Sequence, residues 1–334
     1  MNSSMLVRPV ALLVALVSPF LLVSCGGGSD GKVTIKLAHN GNEQHAFQDG
    51  YNAFAEALAA STDGTVTVQI FPNSQLGSEE EANEMVEGGH IAGAAASAAG
   101  LAPTVKEVDL LNFPFIFNDL DHFYRVLDGP IGDRLAKQIE EDLDCVVLAW
   151  WFSGIRNVWN STRPVTVPSD LKGLKIRVIA SPIVRESFGA LGALPSTMSF
   201  GELYSAVQTG VLDGAESDHT DLLVEKFYEV TEYVSMTEHL YLAAAFIFSK
   251  KQFDKLTPEM QQAVRAAGAA TAQIQRKAME SKNESSLAEL KELGIKFNDV
   301  DGDKFRDIIK NAKIYENNAE DVGGMAMITE LIEQ

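Results

Sequence analysis

Val33, Ile35 and Leu37 alternate with polar residues and predict a first β-strand. Phe47, Tyr51, Phe54 and Leu58 then recur at helical spacing, which predicts an amphipathic helix. Ser61-Thr62-Asp63-Gly64 reads as a turn, and Val66, Val68 and Ile70 alternate again. Strand, helix and strand in this order predict a right-handed crossover joining parallel strands. The runs "CVVLAW" (145–150) and "LKIRVI" (174–179) are two further strand candidates. In the second run Leu174, Ile176 and Val178 share one face, and Lys175 and Arg177 share the other. The local pattern alone makes Arg177 a solvated charge on a half-buried strand.

Helix boundaries are written in the same way. Ser181-Pro182 is an N-cap followed by Pro at the first helical position. Ser199-Phe200-Gly201-Glu202 reads as a capping box opening a helix that stops at Gly210. From Thr257-Pro258 to about Leu293 one helical pattern runs on, with Gly294 suited to ending it. Roughly 36 residues at ~1.5 Å each would span on the order of 50 Å. Such a helix either crosses two domains or breaks near residues 281–286; the unbroken pattern favours the crossing.

The N-terminus carries a targeting pattern. Arg8 precedes an apolar run from Val10 to Val23, then Leu22-Val23-Ser24-Cys25 and a Gly-rich stretch. This describes a secretory signal, residues 1–24. The Cys at the cut resembles a lipobox, so Cys25 is expected to be lipidated and to tether the chain through the flexible segment 25–30. The alternatives are an ordinary signal peptide, or a short anchor helix with a chance Cys. With Cys25 used, Cys145 is the one remaining thiol and reads as a buried small hydrophobe. The mature chain carries 26 − 46 = −20 charges, because the signal takes Arg8 and no acidic residue from totals of 27 and 46. That balance argues against nucleic acid and against adhesion to anionic lipid, though not against a small anion held by paired arginines.

Little in the chain suggests bond chemistry. There is no Cys-x-x-Cys, His-Glu-x-x-His, phosphate-binding Gly loop or Gly-x-Ser-x-Gly elbow. His39 and His45, or Asp218-His219 with Asp221, could be drawn as metal sites, but scattered His beside carboxylates more often serve as hydrogen-bonding residues. No cofactor is expected.

Six stretches in order carry a family resemblance: "FPNSQLG" (71–77), "LLNFPFIFNDLDHFYRVLDGPIG" (110–132), "GIRNVWNS" (154–161), "DLKGLKIRV" (170–178), "GALPSTMSFGELYSAVQTGVLDGAES" (192–217) and "KFYEV" (226–230). Together they resemble the DctP-like solute-binding proteins of tripartite ATP-independent periplasmic (TRAP) transporters, over about residues 32–320. The resemblance implies an α/β, two-lobed periplasmic-binding-protein-like fold. Its ligand cleft lies between the lobes, and a long helix spans both. Lobe I would take 31–153 plus 243–282, and lobe II 154–242 plus 283–334. It implies a receptor outside the cytoplasm that hands an organic acid to the small and large membrane subunits of a permease.

By resemblance, Arg177 anchors the ligand carboxylate and Arg156 assists, unless Arg156 is a structural ion pair at the lobe junction. A guanidinium suits the role because it stays charged and grips a carboxylate with two parallel hydrogen bonds. Phe200 matches a wall of the pocket, or else is a first-turn core residue. Ser217 stands where the family usually has Asn, and Asp218 and His219 follow where many relatives are uncharged. This departure is expected either to alter ligand chemistry or merely to repack the pocket edge. The loop "HNGNEQH" (39–45) leaves strand one at its carboxyl end, where open α/β sheets bind ligands, so Asn40 and Glu43 are candidates for hydroxyls. The competing reading makes Asn42 a helix cap with Glu43 in the first turn. Ser97 and Trp151 are weaker candidates.

The ligand expected from this set is a hydroxylated acid with one carboxylate, such as a uronate or aldonate. A dicarboxylate is the runner-up. A lipid-anchored sensory receptor for the same acids, and an extracytoplasmic lyase or hydrolase using Glu43, His45, Asp218 or His219, are the other classes.

Overall fold

The structure is a computed structural model that describes residues 33–334. The signal, Cys25 and the tether lie outside the described residues. Nine strands form one mixed sheet: β1 (Val33–Ala38), β2 (Val66–Phe71), β3 (Gly93–Ser97), β4 (Cys145–Asn160), β5 (Lys175–Val178), β6 (Leu194–Thr197), β7 (Gly214–Ser217), β8 (Tyr233–Ser249) and β9 (Lys296–Asp299). Their spatial order is β2-β1-β3-β8-β4-β7-β5-β6, with β9 paired to β8. β1 pairs in parallel with β2 and with β3, as the crossover pattern predicts. At the other end β5 pairs in parallel with β6 and β7. Thus two small parallel sheets hang on a central antiparallel pair, β4 and β8.

Those two strands are 16 and 17 residues long and run through both halves of the molecule. "CVVLAW" is only the first part of β4. The strand continues to Asn160 across an irregularity between Phe152 and Ile155, opposite Ala243 and Tyr241 on β8. Gly154 sits in that irregularity with φ +91°, and a Cβ there would lie 2.4 Å from Cβ of Asp218. Only glycine gives both the left-handed backbone and the close approach. The paired strands therefore pass between the halves where their register is irregular, at Phe152/Ile155 and again at Arg156/Val158.

Helices flank the sheet. The first half carries α1 (Ala46–Ser61), α2 (Glu79–Gly88), α3 (Ala98–Leu101), α4 (Leu120–Leu127) and α5 (Pro130–Asp142). The second half carries α6 (Pro182–Ala190), α7 (Leu203–Gln208) and α8 (His219–Val224). After β8 come α9 (Lys250–Phe253), α10 (Pro258–Glu292), α11 (Gly302–Asn311), α12 (Ile314–Asn318) and α13 (Met325–Glu333). Phe47, Tyr51, Phe54 and Leu58 of α1 are buried, as their spacing requires. Ser181 caps α6 by accepting from the Val184 N–H. The expected capping box at Ser199 differs: the Ser199 hydroxyl donates to the Glu202 carboxylate at 3.0 Å. The chain makes a 3₁₀ turn over Phe200–Glu202 before α7.

α10 is one unbroken helix of 35 residues. Its first part is fastened to β4 by three side chains within about two turns. Thr271 accepts from the Trp151 indole at 2.8 Å, Gln275 bonds both the N–H and C=O of Phe152 (2.9 and 2.8 Å), and Arg276 donates to Trp150 O and to Asp128. Further on, Asn283 accepts from the His219 N–H at 3.0 Å and so reaches α8. The helix touches both halves, and its length is explained by that.

The C-terminal segment touches both halves. β9 follows β8 in the second half. α13, however, lies on α4 and α5: His122 Nε2 bonds Leu331 O at 2.8 Å, and Arg134 pairs with Glu330 at 3.3 Å. Segment 283–334 thus does not belong wholly to the second half. Apolar residues cluster separately around β1, α1 and Trp151, and around Trp159, Leu203, Val207 and Phe227, with a larger cluster between.

Candidate ligand cleft

Loop 39–45 follows the carboxyl end of β1 and lies against α8. Asn42 donates from its side chain to Val224 O at 2.7 Å and from its backbone to Glu225 at 3.0 Å. Lys282 donates to Gln44 O at 2.8 Å. His45, not Asn42, caps α1: its Nδ1 accepts from the Phe47 N–H at 3.1 Å. The Asn42 side chain instead accepts from the Gln44 N–H at 2.8 Å. Glu43 precedes the helix, is exposed, and is off the cleft wall.

Between these halves lies a cavity of about 290 Å³ lined by Asn40, Ser74, Glu79, Arg177, Phe200 and Glu202 among others. It continues into an inner pocket of about 40 Å³. Asn40, Glu79, Arg177 and Phe200 line both, while Ser97, Ser153, Arg156, His45 and Asp221 line the inner one. A space of that size holds little more than one water, at ~30 Å³ each in the liquid. It is on the scale of a single carboxylate group.

Arg177 is 7% exposed. Its Nε and Nη2 both donate to the Met198 carbonyl, at 3.2 and 3.1 Å. Among the described residues no carboxylate lies within 4.0 Å of it. Burial lowers its pKa from the usual guanidinium value, with Arg156 adding to the effect and Glu216, Glu79 and Asp221 opposing it from a distance. Arg156 has a different environment. It is 2% exposed, and its Nε meets Glu216 at 2.6 Å. Its Nη1 lies 3.9 Å from Asp218 and 3.7 Å from Asp221, and Nη2 donates to Glu216 O. Burial alone would lower Arg156, but Glu216, Asp221 and Asp218 outweigh it and raise it. Likewise burial works to raise Glu216, while Arg156 and His239 bring it down to about 2. Arg156 is therefore both an inner-pocket lining residue and the centre of an ion network.

Three candidates sit behind the wall. Trp151 is fully buried in an aromatic cluster with Phe47, Tyr51 and Phe246 at 5.1–5.8 Å between ring centroids. Ser217 is buried on β7 and accepts from the Trp159 indole at 3.0 Å. Asp218 caps α8 by accepting from the Asp221 N–H at 3.0 Å. Phe200 is partly exposed on the cleft wall, edge-on to Phe227 at 5.6 Å. Ser97 lines the inner pocket and also caps α3.

Glu79 is the lining residue that the sequence pattern concealed. It lies in the run Glu79-Glu80-Glu81, which reads as a solvated face. Yet its Oε1 accepts from the Ser97 N–H at 2.6 Å, and its Oε2 from Asn40 at 3.3 Å. Burial pushes its pKa up, opposed by Ser97. Its position just past the carboxyl end of β2, where α/β sheets bind ligands, was the available signal.

Another hollow of about 320 Å³ lies under α11–α13, lined by Phe115, Ile309, Met325 and Ile328. Its walls are mainly apolar, and its Arg306 stacks over Phe115. Nothing there matches a buried guanidinium without a partner. Among the described residues no group of His, Cys, Asp and Glu is arranged to hold a metal ion. Among the described residues no helix is long and apolar enough to cross a membrane.

Two α/β halves closed over a polar cleft with a buried arginine define a solute-receptor fold of the periplasmic-binding type. The chain belongs to the bacterial extracellular solute-binding proteins, family 7, whose family model matches residues 37–320. It is 35% identical over 262 residues to the 2,3-diketo-L-gulonate-binding periplasmic protein YiaO of Escherichia coli strain K12, covering 77% of this chain and 79% of that one. A TRAP periplasmic solute-binding protein from Roseobacter denitrificans with bound β-D-glucuronate superposes with TM-score 0.85 at 30% identity, covering 90% and 99% of the two chains. One from Sulfurospirillum deleyianum with bound succinate gives 0.84 at 30% identity, covering 89% and 97%. The protein is a TRAP-type solute receptor, a class that works outside the cytoplasm.

Proposed function

We propose that this receptor binds a hydroxylated acid with a single carboxylate, a uronate or aldonate, and delivers it to the small and large membrane subunits of a TRAP permease. Arg177 carries the reading: it is a buried guanidinium lining a polar cleft, with no carboxylate of its own. Such a group favours an anion brought by the ligand, which couples closure to occupancy. Arg156 closes the inner pocket, but its charge is balanced by Glu216, Asp221 and Asp218. Asn40, Glu79, Ser97 and Ser153 are suited to hydroxyls, and Phe200 to an apolar ring face. The galacturonate-, glucuronate- and galactonate-bound neighbours support this ligand class.

A dicarboxylate is the second reading, supported by the succinate-bound neighbour. Glu79, opposite Arg177 in the cleft, disfavours it. The lobes in this reading meet at 153/154, 242/243 and 282/283, with α13 returned to the first. Lipidation of Cys25 keeps the receptor at a membrane; it rests on the Leu-Val-Ser-Cys pattern, and an intact mass of the membrane-extracted protein tests it.

A thermal-shift panel of uronates, aldonates and dicarboxylates tests the ligand class. A ligand at 100 times its Kd stabilises by about 2.7 kcal/mol. Larger shifts with succinate or malate than with every sugar acid would overturn it.

A further inference from the structure

The groups packed behind the inner pocket hold more carboxylates than cations. Glu216, Asp218 and Asp221 all face Arg156, and Arg177 is the one other guanidinium in the cluster. The imidazoles add no charge. His45 is brought down to about 4 by burial, and burial lowers His239 beside Glu216 as well. Because His45 Nδ1 accepts from the Phe47 N–H, its hydrogen sits on Nε2, 3.7 Å from Asp221. Beyond His45, Lys282 is paired with Asp49 at 3.0 Å. Glu225 faces Asp221 from the end of α8, and Glu79 faces Arg177 from α2. Glu216, Asp218 and Asp221 thus outnumber the two guanidiniums before any ligand arrives, and Glu79 and Glu225 at the edge of the cluster add to the excess. An organic anion on Arg177 widens that excess. Asp218 Oδ2 is buried with no hydrogen-bond partner and stands 3.9 Å from Arg156 Nη1, so a bare charge there is poorly stabilised.

We propose that the receptor takes up one proton from solvent when it closes on its organic anion, and that the carboxyl pair Asp218–Asp221 holds it. The inference rests on the anion-receptor reading above. Two observations tie the proton to closure. Loop 39–45 of the first half covers the pair, through His45 on Asp221 and Asn42 on Val224 and Glu225. The ligand charge enters the same buried cluster. In the closed form burial and the Asp221 charge push Asp218 up to about 8, and burial pushes Asp221 to about 6 despite Arg156. Opening the cleft to water returns the pair toward the ordinary carboxylate range, and the proton leaves.

The sign follows from linkage. A group with a higher pKa in the closed form favours closure at low pH, and that advantage is lost as pH rises through its closed-form value. Affinity for the acid therefore falls with rising pH, by up to about tenfold per unit for one proton, and levels off above about 8. A receptor without this device, gripping a permanently charged anion with a permanently charged arginine, would show no slope near neutrality.

The test is titration calorimetry near neutral pH in two buffers of different ionisation enthalpy, with D-glucuronate, D-galactonate and succinate as probes. The buffer dependence of the heat gives the protons exchanged. Close to one proton taken up per acid bound supports the proposal. Asp218→Asn keeps an oxygen to cap α8 and mimics the protonated acid. It should lose most of the uptake, flatten the pH slope and bind at alkaline pH at least as tightly as wild type. If that variant fails to fold, Asp221→Asn carries the same readout. Binding with no proton exchange in wild type, or undiminished uptake in both variants, overturns the inference alone. No binding of any acid overturns the receptor reading and this inference together.

Discussion

Arg177 directs two N–H groups, on Nε and Nη2, to the single carbonyl oxygen of Met198. This fixes the guanidinium plane using a neutral acceptor, and leaves Nη1 without a protein partner among the described residues. The arginine is thereby held in place with no carboxylate in direct contact, while Glu216, Glu79 and Asp221 act on it only from a distance. An ion pair would have held it equally well but would have competed with the ligand.

Arg177→Ala should cost about 2–5 kcal/mol of binding, the usual range for removing one partner of a buried charge pair. Arg177→Lys should recover only part, since an ammonium lacks the planar fork. Melting temperature without ligand should change little, because burial of the guanidinium is relieved and no ion pair in direct contact is lost. Calorimetry and thermal melts on both variants check this. A large drop in unliganded stability with unchanged affinity would make Arg177 a structural residue.

Arg156→Ala should behave in the opposite way. It strands Glu216, Asp218 and Asp221 in the interior, and breaking a buried pair typically costs about 3–5 kcal/mol of stability. Glu216 also sets an acid limit. Its value of about 2 lies below the ordinary carboxylate range, so its contribution is complete above that range and is lost as pH falls through about 2. Without Arg156 the loss should begin at higher pH. Denaturant unfolding at neutral and mildly acid pH measures both effects; equal unfolding midpoints for variant and wild type would show that Arg156 is not structural.

Periodicity made β1, α1 and β2 legible, because each buries one face and its apolar spacing records that face. The caps at Ser181 and Thr257 were legible for a similar reason: a cap is satisfied within a few residues. Arg177 was recognisable only through its surrounding motif, since on a short alternating strand an exposed and a buried Arg look alike. What escaped were features settled by distant partners. Arg156 finds Glu216 from 60 residues away. Glu79 meets Ser97 across 18 residues from within an acidic run. Ser217 invited a ligand reading because Asn was expected there, whereas Trp159, 58 residues back, takes up its hydroxyl. Trp151 shows the converse: aromatic residues beside a cleft motif were indistinguishable from its supporting core.

Gly154→Ala should destabilise the unliganded receptor by more than 1 kcal/mol. A Cβ would meet Asp218 at 2.4 Å, and the φ of +91° is strained for any L side chain. The clash falls where β4 crosses between halves, so closure should suffer beyond the loss of stability. Small-angle scattering with and without a bound sugar acid would register a smaller compaction than in wild type. A variant that melts and compacts as wild type does would remove Gly154 from the hinge.

Glu79→Gln addresses why one carboxylate should be preferred over two. Glu79 lies across the cleft from Arg177, held by the Ser97 N–H and the Asn40 amide. A diacid anchored by one end on Arg177 brings its second carboxylate toward this side, where like charges repel. A sugar acid brings hydroxyls, which can donate to Glu79. Neutral Gln removes the repulsion and weakens the acceptor at once. The variant should therefore bind succinate more tightly and glucuronate more weakly than wild type. Direction matters more than size, because a general loosening of the site would weaken both. Paired calorimetric titrations at one ionic strength decide it, and raising the salt should narrow the succinate difference if charge is the cause. Parallel weakening of both acids would leave Glu79 as a brace for Ser97 and Asn40. An unchanged ratio would mean that the discrimination lies elsewhere in the cleft.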